Sequence, residues 1–311
     1  MAMRRLLGMI LITGVVLADI NDDVFSGDDV STFDLSPDES ETENGPFFVR
    51  SGFDVIGRAE FSNNAPTSNN KVTFSEYDVD GTSVIAYNEC KKEGLALTLG
   101  YSLYHLGWDH NPYFSEKNFN VITVGVGFFS HRCSSWDWKG LVKMNFDPCH
   151  LNFQDYVNWD LMLWGRYEIG DKWGFHTGFY ALTGMKIDRV YPIIGLDWTP
   201  NEHWKVNAIF PLNFSVIYTL DGNWSFALAS RVWDVRRRVG EDEPLSKGLW
   251  EYRNVGIEFA CDYKYCGWNV NAHAGYATGG HLKISDRHRS HSKRLNFNAA
   301  PYVGGEVAYN F

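Results

Sequence analysis

The stretch Tyr302-Val-Gly-Gly-Glu-Val-Ala-Tyr-Asn-Phe311 decides the fold. Val303, Gly305, Val307, Tyr309 and Phe311 alternate with Tyr302, Gly304, Glu306, Ala308 and Asn310. A period of two with one apolar face and one small or polar face is the pattern of a half-buried strand. The pattern runs to the last residue, where many soluble domains carry a frayed polar tail.

The other end reads as an export signal. Met1–Arg5 is basic, Leu6–Leu17 is apolar, and Val16-Leu17-Ala18 offers a cleavage site, which predicts a signal peptide over residues 1–18. No cysteine lies near that site, so nothing suggests a lipid anchor. Beyond residue 18 no apolar run approaches the roughly 18 residues that a membrane helix needs. An exported chain ending on Tyr309-x-Phe311 resembles the bacterial outer-membrane β-barrels. The resemblance implies a partnership with outer-membrane lipid, and with a barrel assembly machinery that reads Tyr309 and Phe311 as an assembly signal.

Charge divides the chain. Ten of its 38 acids and two of its 28 bases fall within residues 1–45, which leaves 26 bases against 28 acids in the body. Residues 19–45 are rich in Asp, Ser and Glu and carry no base, a composition that buries too little apolar area to offset chain entropy. This acidic N-terminal segment is expected to be disordered. The expected domains are therefore a signal peptide (1–18), the acidic segment (19–45) and a transmembrane β-barrel (46–311).

From Pro46 the sequence reads as strands and turns. The segments are Phe47–Phe61, one ending near Asn88, Gly94–Leu106, Asn118–Phe129, Trp136–Phe146, Asn158–Ile169 and Trp173–Thr183. Then follow Val190–Trp198, His203–Phe210, Asn213–Leu220, Trp224–Val235, Leu249–Cys261, Gly267–Tyr276 and a last strand ending at Phe311. These predict an all-β, up-and-down antiparallel barrel of about 14 strands, with 12 also compatible. Short turns such as Gly170–Lys172 and Asp221–Asn223 alternate with longer loops such as Gly107–Lys117, Asp147–Val157, Arg236–Gly248 and Ala277–Asn296. Phe210-Pro211-Leu212 is the exception, a tight link where a long loop is due. Seven tryptophans (136, 138, 173, 198, 204, 224 and 268) lie beside short turns, and Trp108, Trp159, Trp233 and Trp250 beside long loops. That placement predicts an aromatic girdle at each membrane interface.

On Asn158–Ile169, Trp159, Leu161, Leu163, Tyr167 and Ile169 share one face, while Asn158, Asp160, Arg166 and Glu168 share the other. An arginine facing lipid at the midplane costs about 2–4 kcal/mol, so the charged face is the inner one. The same argument assigns Lys139, Lys143, Lys205, Arg231, Glu258 and Glu306 to the lumen beside Asp160, Arg166 and Glu168. Small residues (Ala96, Thr98, Gly100, Ser102) complete a lining of mixed sign, which suits either a narrow aqueous channel or an internal ion-pair plug.

Catalytic and metal chemistry find little support. His131 and Ser134 share a turn, Asp109–His110 is an acid–base neighbour pair, and the 281–294 stretch holds His281, His288 and His291, yet no Ser-His-carboxylate set forms a recognisable pattern. Neither enzyme activity, nor a cofactor, nor a metal is expected. The stretch Ala277–Asn296 carries Lys283, Arg287, Arg289, Lys293 and Arg294 against Asp286, so it is either a solvated loop, a polyanion site or, through His288-x-x-His291, a metal site. Arg236–Arg238 followed by Glu241–Glu243 reads as a self-neutralising loop. Nucleic acid is not an expected partner of an exported protein with an acidic tail.

Five cysteines follow the signal: Cys90, Cys133, Cys149, Cys261 and Cys266. Cys261 and Cys266 flank one short turn, and a disulfide across it is one expectation in an oxidising compartment. An odd count leaves a thiol free or bonded to another chain. With the aromatic-rich body, this resembles the cysteine-containing porin-like outer-membrane proteins of chlamydia-like bacteria. The resemblance implies cross-linking to other envelope proteins. Two functions follow as expectations: passive diffusion of small solutes, or a closed structural or adhesive role at the surface.

Overall fold

The computed structural model describes residues 47–62, 70–88, 90–133, 135–150, 152–211 and 213–311. The expected signal peptide and acidic segment lie outside the described residues. Alternating side chains build sixteen strand segments. They are β1 (Phe47–Glu60), β2 (Lys71–Asn88), β3 (Glu93–Trp108), β4 (Asn118–Cys133), β5 (Trp136–Phe146), β6 (Val157–Ile169), β7 (Trp173–Gly184) and β8 (Ile187–Asn201). The others are β9 (Trp204–Phe210), β10 (Asn213–Thr219), β11 (Trp224–Arg238), β12 (Leu249–Tyr265), β13 (Trp268–Ala277), β14 (Gly280–Ser285), β15 (Ser292–Phe297) and β16 (Ala300–Asn310).

Each strand from β1 to β13 pairs antiparallel with its sequence neighbour. β16 pairs with β13 on one side and with β1 on the other, and so closes the wall. β14 and β15 continue β13 and β16 past a break: Ala277 pairs with Ala300 below it, and Gly280 with Phe297 above. The break falls at Thr278–Gly279, where Gly279 adopts φ +100°, a conformation open to glycine. The wall is therefore a closed antiparallel barrel of 14 strands.

Side chains alternate as the pleat requires. Val255, Ile257 and Phe259 of β12 are exposed on the outside, while Gly256, Glu258 and Ala260 are buried within. An exposed apolar belt around a buried polar interior inverts the arrangement of a soluble sandwich, and a membrane barrel needs that inversion. Tryptophans 136, 138, 173, 198, 204, 224 and 268 form a half-buried to exposed aromatic ring at the short-turn end. Stacked pairs such as Trp173–Trp198, with centroids 5.4 Å apart, reinforce it.

Four sequence expectations need correction. The 277–296 stretch is not a loop but the upper half of the last hairpin, leaving only residues 286–291 as the connection. Arg236–Arg238 belong to β11 and are buried, so they are not part of a solvated loop. The girdle at the loop end is absent among the described tryptophans there except for Trp159, because Trp108, Trp233 and Trp250 are buried inside the barrel. The Cys261–Cys266 bridge does not form. Both are free thiols, and the turn is Cys266-Gly267 with φ of 48° and 80°. Cys261 sits well back along β12, opposite Ala272. Four strand residues at about 3.3 Å each separate it from the turn. A disulfide tolerates at most about 7 Å between Cα atoms.

Candidate functional site

The nine residues assigned to the lumen all lie on the inward side of the pleat, where most are packed into ion-paired layers. Near the short-turn end, Arg50 is 1% exposed; its Nε donates to Asp80 at 2.9 Å and its Nη1 to Glu306 at 3.0 Å. Across the barrel, Arg166 donates to Asp197 at 2.7 Å and to Glu168 at 2.9 Å. His176 contacts the same Asp197 at 2.9 Å through Nε2, while its Nδ1 accepts from the Trp164 indole at 3.0 Å. At mid-height Arg231 holds two carboxylates. Its Nε and Nη2 donate to Glu258 at 2.8 and 3.2 Å, and its Nη1 to Asp54 at 3.3 Å. Tyr302 donates its hydroxyl to Glu258 at 2.8 Å, and His273 Nε2 lies 2.8 Å from Asp54. Lys139 sits 5.5 Å above the Trp164 ring, Lys143 and Asp160 are buried, and Lys205 is half-buried. Pairing keeps these charges tolerable away from water.

Above these layers the interior is aromatic. Phe74 stacks on Tyr252 at 4.4 Å and Phe119 meets Trp250 at 4.9 Å, within a cluster that includes Trp108, Trp233, Leu282, Ile284 and Leu295. Interlocked loops cover that plug. Asn152 caps a single helical turn, α1 (Phe153–Tyr156), whose Asp155 accepts from Arg287 at 2.8 Å and pairs with Lys247 at 3.6 Å. Burial pushes the Asp155 carboxyl up, but the bond from Arg287 and the charges of Arg287, Arg238 and Lys247 outweigh it and hold the carboxyl below its ordinary value. Burial and nearby Glu241 and Asp155 push the Tyr156 phenol up to about 12, so it remains a donor, here to the Val239 carbonyl at 3.1 Å. Glu243 accepts from Ser115 N and Glu116 N at 2.7 and 2.9 Å, binding loop 239–248 to loop 109–117. Glu243 therefore does not neutralise the three arginines. Arg236 instead donates to the carbonyls of Ile187 and Thr183, and Arg238 to those of Lys247 and Met185.

One side of the wall is low. β9 and β10 have seven residues each, joined at Phe210-Pro211, whereas a strand needs about 9–11 residues to cross a bilayer. The flanking β8 and β11 have 15 each, so the wall has a notch between them. Beside the notch, β11 and β12 lean into the barrel. Val232, on the outward side of β11, packs against the inward cluster that contains Leu182 and Ile193. Arg189 from the inward side of β8 donates to Asp234 at 3.1 Å and also bonds Glu251. Arg253 donates to Asp234 at 3.0 Å and to the Tyr191 hydroxyl at 2.7 Å. A cavity of about 780 Å³ results, lined by inward Tyr180 and Leu182 together with outward Phe210, Phe214 and Val255. Lining from both faces of one wall arises where the wall is breached.

The remaining sequence candidates do not assemble. His131 bonds Asp137, and Ser134 lies outside the described residues. His288 lies against Lys186 and His291 against Asp286, and no group of three metal-binding side chains occurs among the described residues. Arg287 and Arg289 of the basic stretch are engaged by Asp155 and Glu251. Cys90, Cys149 and Cys266 are exposed free thiols. Burial, with Asp147 and Glu116 nearby, pushes the Cys149 thiol up.

No family model matches the chain. It is similar to an uncharacterized protein of Chlamydia pneumoniae, 22% identical over 75% of this chain and 78% of that protein. Among solved structures it is similar to an outer membrane channel of Pseudomonas putida F1, with TM-score 0.49, 9% identity and coverage of 89% and 100% of the two chains. It is likewise similar to a Pseudomonas aeruginosa FadL homologue, with TM-score 0.49, 9% identity and coverage of 96% and 100%. The barrel fold rests on the strand pairing itself, and these likenesses carry nothing about cargo.

Proposed function

We propose that this protein is an outer-membrane β-barrel that passes small solutes by passive diffusion. It is exported by residues 1–18 and seated by the assembly machinery through Tyr309 and Phe311. One observation carries the transport role: the 780 Å³ cavity opens through a notch in an otherwise closed wall. The paired lumen charges leave little hydrated space, so flux through the notch dominates. The test is uptake by proteoliposomes of a panel of sugars, aromatic compounds and organic acids. Influx of at least one class above protein-free vesicles supports transport; no influx of any class through a barrel shown to be folded sinks it.

A second role draws on the packed layers and the thiols. A closed barrel with exposed Cys90 and Cys266 at its short-turn end suits disulfide linkage to other envelope proteins. Non-reducing electrophoresis of native envelopes separates the two roles, since a structural role requires multimers that collapse with reductant.

A further inference from the structure

We propose that the cavity at the notch binds an amphipathic organic anion, a carboxylate on an aromatic or aliphatic body, and that Arg294 and His281 select its head group. This rests on the transport role above and names its substrate class.

The body follows from the walls. Tyr180, Leu182, Phe210, Phe214, Val232 and Val255 make most of the cavity apolar. Its volume of about 780 Å³ lies within the roughly 300–1,000 Å³ typical of small-molecule sites. The β9–β10 turn ends at bilayer depth, where irregular backbone is tolerated only against protein or along a cavity. A solute entering there meets lipid first, which favours an apolar body.

The head follows from the charges at the other end. Asp234 is engaged by Arg189 and Arg253, and Arg253 by Asp234 and Tyr191. Arg294 and His281 also line the cavity. The pleat of the β14–β15 hairpin explains why: Leu282, Ile284, Leu295 and Phe297 turn into the aromatic plug, so His281 and Arg294 lie on the opposite face. Arg294 bonds only Asn296 Oδ1, at 3.2 Å, and His281 has no hydrogen-bond partner, among the described residues. Once the other ion pairs are formed, a guanidinium fork and an imidazole remain. A planar fork matches a carboxylate in two-point geometry, while a cationic head would be repelled.

The test uses the full chain in phosphatidylcholine nanodiscs, titrated calorimetrically with 4-butylbenzoate, 4-butylbenzyl alcohol and 4-butylbenzylammonium against empty discs. The carboxylate should give saturable binding, weakened by R294Q by about tenfold to a hundredfold, as for loss of a charge-assisted hydrogen bond. V232W, which fills the cavity, should abolish binding, with V255W as a second filler at the cavity rim. Heat-modifiable migration establishes that each variant is folded. Equal affinity for the alcohol, or unchanged binding in R294Q, overturns the head-group assignment. Carboxylate binding that survives the folded filler variants overturns the cavity. Solute uptake in vesicles without saturable binding of any probe leaves transport standing and overturns this proposal alone. Loss of carboxylate binding on doping the discs with phosphatidylglycerol assigns the pocket to a leaflet lipid and overturns the solute.

Discussion

Replacing Arg231 with Met distinguishes a packed lumen from a hydrated one. The side chain is 5% exposed and donates twice to Glu258 and once to Asp54 among its bonds. Methionine keeps the bulk but strands both carboxylates, which are 3% and 2% exposed. Each keeps one support, Tyr302 for Glu258 and His273 for Asp54. Removing one member of a buried pair costs about 3–5 kcal/mol, or roughly two to three and a half orders of magnitude in the folding equilibrium. The assay is reversible urea unfolding of the protein in lipid vesicles, followed by tryptophan emission. Adding Glu258→Gln should recover about 1–3 kcal/mol, because the second charge no longer needs its partner. A cost within about 0.5 kcal/mol for the single variant would refute the reasoning. It would mean that water already solvates the guanidinium and that the interior is an open aqueous pore.

Three further outcomes are expected. Gly304→Val should prevent seam closure and remove the heat-modified band, since a Cβ there would sit 2.1 Å from His273 Nε2 and 2.2 Å from Asp54 Oδ1; Gly222→Ala, with nothing within 4 Å, should fold. Because the Asp155 carboxyl is held below its ordinary value, its latch to Arg287 is fully present above the unfolded value of about 3.9 and lost as pH falls through the lower folded value. Amide-exchange protection over residues 286–291, corrected for the intrinsic rate, should therefore be present near pH 4 and lost near pH 2, whereas Asp155→Asn should lack it at both; equal protection in the two proteins would count against the latch. If the envelope is cross-linked, Cys90→Ser with Cys266→Ser should abolish the multimers while Cys149→Ser leaves them, because the Cys149 thiol is pushed up and forms less thiolate.

The strands were legible because a bilayer forces a period of two on each, and lipid forbids Arg166 on the outer face. Interior packing was less so. In 277–296 the density of bases suggests a loop, yet Leu282 and Ile284 already alternate with His281 and Lys283. The acids Glu76, Asp78 and Asp80 carry the same period, which is the sequence mark of their buried row on β2. Three consecutive arginines look solvated in sequence, but carbonyls of the distant β7–β8 hairpin accept from Arg236 and Arg238. Nothing local distinguishes Trp233 in a plug from Trp159 in a girdle, because the difference lies in the lean of β11. The tight Phe210-Pro211 link did mark the notch. The cavity behind it depends on the outward side of β11 meeting the inward side of β8, a contact that no single strand encodes.

Spin labels placed singly along β6 provide the most direct test of the whole account. Labels at positions 161, 163 and 167 should be open to oxygen dissolved in the bilayer. Labels at 160, 162 and 164 should be shielded both from oxygen and from a water-soluble nickel chelate. Uniform accessibility, or chelate access at the odd positions, would contradict a barrel that carries its apolar face in lipid.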